Sequence, residues 1–405
     1  MRRNFLTILS GGTMAQAITI LALPALGRIY TPESFGRLAA VMAVASICAS
    51  VLHGRYHMAI PVAKSPEEPP ALLTLSVLLS MVLAVPVVLV ALAFVGKPWE
   101  GINPASFVAT CVFATVITVL LDISSYWFSY RDRFWVTAQC LTLRAFITVG
   151  SQLALGALTV FGLLIGALIG MSGAFLYAIV DLIRRDRSLV HHPSWSELRG
   201  VLIRYRSFPL FGTPQGLLAA TSWNLLPLLL LKLGDDLLVG QYWVAYRLLI
   251  APLALFNSSY RQAVLRELGR ADVATARSIV KKHTAYLGGI GAFAVLVLAL
   301  FGVPFFQIVM GEGWGEAGRI ASFLSISIAA DLFKVPSICL MQSQQRQKEL
   351  LLWEAGVTAL RYFLTIALLM SGQVNLAILA FAIGGFTGWL IFTITQVLLP
   401  RSGHQ

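Results

Sequence analysis

Charge is what this chain has least of. Asp, Glu, Lys and Arg make up only 12% of its 405 residues, against about 25% in a soluble domain. A chain so poor in charge and so rich in apolar residues, 58% with a mean hydropathy of +0.79, is excluded from the water-soluble classes. Cysteine is also scarce. Cys48, Cys111, Cys140 and Cys339 each lie in an apolar run with no Cys-x-x-Cys pair, which excludes a disulfide framework and predicts no metal site. The six histidines are scattered or near membrane surfaces, with His191 and His192 beside a basic stretch. The chain lacks a phosphate-loop Gly-Lys-Ser/Thr pattern and a His-Glu-x-x-His helix. Its acid pairs, Glu67-Glu68 and Asp235-Asp236, sit at the ends of apolar runs. No enzyme and no cofactor is expected.

Long apolar runs fill the chain. Twelve candidate spans are legible, at 6–27, 35–53, 71–95, 106–128, 135–157, 161–183, 208–231, 239–257, 284–306, 320–341, 350–370 and 376–399. Each approaches the roughly 20 residues a helix needs to cross a bilayer core. Helices satisfy their own backbone in hydrocarbon, so the expectation is an all-α polytopic membrane protein. Met1-Arg2-Arg3-Asn4 before an apolar run resembles a signal peptide's basic region, but no small-residue cleavage pattern follows. It reads as an uncleaved first span.

The formal net charge of +12 points to topology rather than to nucleic acid. One set of loops holds only Arg28, Arg37, Lys97, Lys232 and Arg319. Arg144, Arg247, Lys334 and Arg361 fall inside spans, and the rest of the 30 Lys and Arg lie in the opposite loops. By the positive-inside rule those loops, and both termini, are expected in the cytoplasm. Anionic headgroups are then partners of that basic face. Arg261–Lys282 reads as a basic surface helix on the same leaflet.

The chain looks duplicated. Pro24 matches Pro227, Gly36 matches Gly240, and Arg55-Tyr56 falls near Tyr260-Arg261 at a similar offset. Six spans per half start both halves on the same side, which makes them parallel repeats. The expected division is 1–187 for an N-terminal six-helix lobe, 188–206 for a basic linker and 207–405 for a C-terminal six-helix lobe. Two such lobes favour a transporter that rocks about a central site.

Charges inside spans are costly and usually face a cavity or each other. Arg144 and Arg247 have no carboxylate one turn away, so a ligand role is favoured over a structural one. Asp331 and Lys334, spaced i, i+3, are as readily a structural intrahelical pair as a functional one. Glu354 and Arg361 share a face; Glu354, near a span end, reads mainly as solvated, and Arg361 sits deeper. Asp122 can pair with an arginine across helices. Interior cations suit an anion, because the arginine fork binds two phosphate oxygens at once. Gly162, Gly166 and Gly170, and Gly384 and Gly388, read as close-packing faces.

The first hairpin resembles the Wzx-type polysaccharide flippases, within the superfamily that also holds multidrug antiporters and peptidoglycan lipid flippases. The resemblance rests on Leu9-Ser10-Gly11, Leu23-Pro24, the corner Arg28-Ile29-Tyr30-Thr31-Pro32-Glu33-Ser34-Phe35-Gly36, then Arg55-Tyr56, Ala59-Ile60 and Lys64. Tyr246-Arg247-Leu248 and Pro252-Leu253 are similar too. The resemblance implies a V-shaped, alternating-access bundle. It implies a substrate of polyprenyl-diphosphate-linked oligosaccharide, moved to the periplasmic leaflet of a bacterial inner membrane for O-antigen, capsule or exopolysaccharide synthesis. It further implies that Arg28, Arg55 and Arg247 attract the diphosphate and that a polysaccharide polymerase complex is a partner. Arg144, Lys334 and Arg361 extend that set on their placement alone. Transport would draw on an H+ or Na+ gradient or the membrane potential, with Asp122 and Asp331 as coupling candidates. The alternatives are a cation-coupled drug or metabolite antiporter, which needs an accessible carboxylate in the first lobe, and a membrane-embedded glycosyltransferase or ligase, which needs paired catalytic acids and a substantial periplasmic loop.

Overall fold

The computed structural model describes residues 2–95, 103–156, 158–159, 161–186, 193–233, 235–268, 272–344 and 346–398. Lys97, Arg187, His191, His192, Arg270 and Arg401 lie outside them, and of Arg2, Arg3, Leu9, Ser10 and Arg266 only the backbone is described. The described residues are almost wholly helical. In chain order the α-helices are α1 (Arg2–Ile29), α2 (Pro32–Leu52), α3 (Glu68–Val95), α4 (Pro104–Tyr130), α5 (Phe134–Leu155), α6 (Gly162–Asp186), α7 (Trp195–Arg204), α8 (Thr213–Lys232), α9 (Asp236–Leu268), α10 (Val273–Met310), α11 (Gly315–Phe333), α12 (Val335–Ser343), α13 (Gln347–Met370) and α14 (Val374–Leu398).

Every one of the twelve expected spans falls on a helix, and nine stretches among the described residues are long and apolar enough to cross a membrane. The expected spans on α5, α8 and α9 are not among the nine. All three are diluted by polar residues, such as Gln139, Arg144 and Gln152 in α5. The protein is a multi-pass α-helical membrane protein.

Helix ends follow local chemistry. Pro104 opens α4 without losing a bond, and the Asn103 side chain accepts from the Ala105 N–H. Ser194 and Glu197 close a reciprocal capping box on α7. Lys334 separates α11 from α12, where Pro336 enters the first turn of the second helix. The described residues of the stretch expected as one surface helix, Arg261–Lys282, instead form the end of α9 and the start of α10. Its first part continues α9 to Leu268, because nothing between Pro252 and Gly269 stops that helix. The short helix outside the spans is α7, whose Trp195 is exposed.

The chain forms two compact units, Met1–Gly240 and Gln241–Gln405. In the first, α5 packs on both α1 and α6, and α2 packs on α4 and α8. Small residues allow the α5–α6 approach: a methyl on Gly170 would meet the Thr148 hydroxyl and the Arg144 carbonyl. Gly36 and Gly240, the pair matched by the sequence repeat, face each other; a methyl on either would strike backbone of the other segment. Arg37 and Asp236 pair beside them at 3.8 Å. In the second unit α10 packs on α11, and α14 on α13 and α11.

Candidate functional site

The N-terminal unit builds its site where α2 runs out. Gly54 (φ 51) and Arg55 (φ 58) both adopt the left-handed conformation and turn the chain into a short 3-10 helix, Tyr56–Val62. That conformation is free for glycine and costs about 1 kcal/mol for arginine. The turn aims the Arg55 side chain along α8. Its stem passes Gly212, and its guanidinium lies over Gly216, where any Cβ would collide with it. Glycine at 216 is what lets the planar fork lie flat against the helix. Nη1 of Arg55 lies 3.5 Å from the Met58 sulfur, and its buried Nε makes no hydrogen bond.

Two buried imidazoles flank this arginine. The Arg55 backbone N–H donates to His53 Nδ1 at 3.3 Å. A neutral ring that accepts at Nδ1 carries its proton on Nε2. That Nε2 lies 3.3 Å from Asp122 Oδ2. His57 Nε2 is also 3.3 Å from the same oxygen, out of line for a hydrogen bond, and its Nδ1 has no hydrogen-bond partner. The ring centroids of His53 and His57 are 3.8 Å apart, and Tyr126 meets His57 edge-on at 4.7 Å. His53 and His57 are 2% and 0% exposed, whereas the Asp122 side chain is 46% exposed. Burial pushes the His53 imidazole down to about 4, against the pull of Asp122.

Two of the histidines expected to be scattered or near membrane surfaces are brought together just past the end of α2. His53-x-x-x-His57 was visible in the sequence, but the turn that folds the second ring under the first was not. The ligand-capable atoms of His53, His57 and Asp122 lie within 4.8 Å of one another, a spacing that a metal ion would accept. A metal needs a bare ring nitrogen, and the Arg55 N–H on Nδ1 leaves His53 presenting a protonated Nε2. The donor set thus favours hydrogen bonding over ligation.

The remaining cations are dispersed. Arg28 is exposed in the last turn of α1, where it favours the helix dipole. With α2 between them, Arg28 and Arg55 stand roughly 30 Å apart at 1.5 Å per residue. Arg144 lines a space of about 60 Å³ among α4, α5 and α6, with Ser124, Ser125 and Thr137, room for about two waters. Arg131 and Arg133, between α4 and α5, are caged: Arg133 pairs with Asp181 and Asp186, and Arg131 with Asp186 at 3.3 Å.

The C-terminal unit holds a second, closed set. Arg361 is 3% exposed. It donates to Ser327 Oγ at 2.5 Å and lies 4.8 Å over the Phe381 ring. A Cβ on Gly385 would strike its guanidinium, so Gly385 is the notch that admits it. Asp331 and Lys334 pair with each other, and Lys334 Nζ sits 3.9 Å over Trp389. Tyr246, stacked on Tyr242, comes within electrostatic reach of both Asp331 and Arg361. Arg247 lies 4.7 Å over Trp243 on its own helix. Beside this set α10, α11 and α14 frame an apolar groove of about 640 Å³, lined by residues such as Ala292, Phe333, Phe386 and Leu390.

No protein-family model matches this chain, and no curated protein does. Solved structures do. The lipid II flippase MurJ in an inward closed conformation shares 12% identity, covers 98% of this chain and 87% of its own, and gives a TM-score of 0.72. An inward-facing multidrug resistance MATE family transporter of the MOP superfamily shares 14% identity over 97% of this chain and 93% of its own, TM-score 0.58. An outward-facing structure of such a transporter shares 15% identity over 98% and 94%, TM-score 0.55. The chain has the fold of these membrane transporters.

Proposed function

We propose that this protein is a flippase for polyprenyl-diphosphate-linked oligosaccharide, moving it from the cytoplasmic to the periplasmic leaflet of a bacterial inner membrane. The observation that carries the reading is the fold shared with a lipid II flippase over 98% of the chain. The corner motif of the first hairpin narrows the substrate to surface-polysaccharide repeat units such as O-antigen. A diphosphate cannot enter hydrocarbon unaided, since even after relaxation each buried charge costs several kcal/mol. Arg55 supplies a half-buried guanidinium on a fixed turn, and Arg28 a second at the far end of the hairpin. Arg247 and Arg144 complete the binding set; Lys334 and Arg361, engaged here with Asp331 and Ser327, join it only when those contacts open. The groove among α10, α11 and α14 suits a prenyl tail. Asp122 and Asp331 are the coupling carboxylates, and both termini face the cytoplasm. The division into lobes 1–187 and 207–405 about a basic linker is part of the same proposal, as is a partnership with the polysaccharide polymerase.

The test is gene deletion followed by location of the lipid-linked glycan. Accumulation on the inner leaflet, reversed by the wild-type gene and not by Arg55→Ala, supports the reading. Normal surface glycan in the deletion strain overturns it. One observation favours a drug antiporter instead: Asp122 is a half-exposed carboxylate in the first unit, and MATE transporters share the fold. Altered drug tolerance with normal glycan would establish that alternative.

A further inference from the structure

The pair of buried imidazoles on one carboxylate oxygen does more than the proposed role of Asp122 requires. We propose that His53, His57 and Asp122 together bind one exchangeable proton, and that placing it on His53 Nδ1 releases the Arg55 turn. This rests on the reading of Asp122 as a coupling carboxylate and names its ion.

The chemistry follows from the hydrogen bonds. A neutral His53 accepts from the Arg55 backbone N–H and points its own proton at Asp122. A second proton can go only to Nδ1, because Nε2 is already occupied. Nδ1–H and the Arg55 N–H are then two donors facing each other at 3.3 Å, and the bond between them is lost. Arg55 holds a left-handed backbone that costs about 1 kcal/mol, so the turn loses one of the bonds that hold it strained. Its guanidinium, seated over Gly216, moves with it.

The route and the balance are both present. Asp122 is half exposed and the imidazoles behind it are not, so a proton arriving from water meets the carboxylate first. It then passes to an imidazole, and Asp122 returns to its ionised form; no other reactant is consumed. His57, with both nitrogens buried and neither hydrogen-bonded, lies with its ring centroid 3.8 Å from that of His53. Among the described residues, the titratable groups that face the site are few. From α4 come Asp122 and Tyr126, and from the turn itself Arg55 and Tyr56. Glu68 of α3 is engaged elsewhere, with the Lys64 and Ser65 amides, Arg204 and Tyr205. Phe208–Gly212, the segment before α8, brings no titratable side chain. Burial keeps His53 neutral here; hydration in another state would return it towards its usual value of about 6.5. A site that loads when wet and unloads when buried is what proton coupling to alternating access requires.

The test uses full-length protein in inside-out membrane vesicles with a cysteine at Met58 and a reference cysteine at the exposed Ser196. The four native cysteines are buried. Maleimide labelling at 58, taken relative to 196, is expected to rise several-fold between about pH 8 and about pH 5. His53→Gln keeps an acceptor for Arg55 and a donor for Asp122 but cannot take a second proton, so its ratio should stay flat. Asp122→Asn should shift the wild-type midpoint to lower pH. A pH response that survives in His53→Gln overturns the inference. So does stoichiometric Zn2+ binding, by calorimetry with the metal alone, that His57→Gln abolishes. If the response vanishes in His53→Gln while the deletion strain exports glycan normally, the proton site stands and the flippase reading alone falls.

Discussion

In the N-terminal unit Arg55 is half-buried on a strained turn, with its guanidinium against a glycine. In the C-terminal unit Arg361 is 3% exposed, bonded to Ser327 and covered by Phe381. Both lie against a glycine that makes room for a guanidinium, Gly216 in one case and Gly385 in the other. The difference is in what else each arginine touches. Arg361 is enclosed by Ser327 and Phe381 of its own unit and ties those helices together. Among the described residues of its unit, the hydrogen bond shown for the Arg55 guanidinium goes to the Met58 sulfur and the rest of the fork lies on a helix surface, so it has donors left for an anion. An interior cation is thus a ligand candidate to the extent that the fold leaves its donors unspent.

Arg55→Ala offers the largest expected effect. It should abolish glycan transport in a complementation assay while changing the melting temperature in detergent by only a few degrees; a variant that still transports would end the contrast. Arg361→Ala should do the reverse in emphasis. It leaves a cavity beside Gly385 and an unpaired Ser327, a loss of about 2–4 kcal/mol, read as a lower midpoint of thermal unfolding. If Arg361→Ala melts like wild type, the claim that its charge is structural is wrong. The pH profile comes next. His53 is held down to about 4 in the folded protein, from 6.5 in the unfolded chain. Between those values the unfolded chain binds the extra proton, so stability should fall as pH drops from about 6.5 towards 4, by at most about 3 kcal/mol. His53→Gln should flatten that slope; an unchanged slope would assign it elsewhere. Lys334→Met strands Asp331, which is buried at 5%, and should lower stability by about 1–3 kcal/mol. Adding Asp331→Leu should recover most of that loss. Smallest is Arg55→Gly, which relieves the left-handed strain and should raise stability by up to about 1 kcal/mol while transport is still lost.

Much of the fold was legible because hydrocarbon is a severe solvent. A run of apolar residues has one low-energy backbone there, so the helices coincide with the twelve runs read from sequence. Gly36 and Gly240, singled out by the apparent duplication, meet as partners. The site was legible only in part. Arg55 stood out by its motif, and Asp331 with Lys334 by its i, i+3 spacing. Asp122 stood out as a charge in a span, but its partners were expected to be arginines. They are histidines, because a left-handed turn at Gly54-Arg55 swings His57 back under His53. Periodicity reports which face of a helix is apolar, not how the chain leaves its end.

The sequence by itself determined the solvent, the helices and the expected sidedness, since each depends on residue type summed along a segment. Only the tertiary structure decided which charges are spent. Arg131 and Arg133 are consumed by Asp181 and Asp186, Arg361 by Ser327 and a ring, and Arg55 is left with its donors for something else. Those outcomes turn on contacts a few ångströms long between residues tens of positions apart, and one glycine or one left-handed residue is enough to make or withhold them.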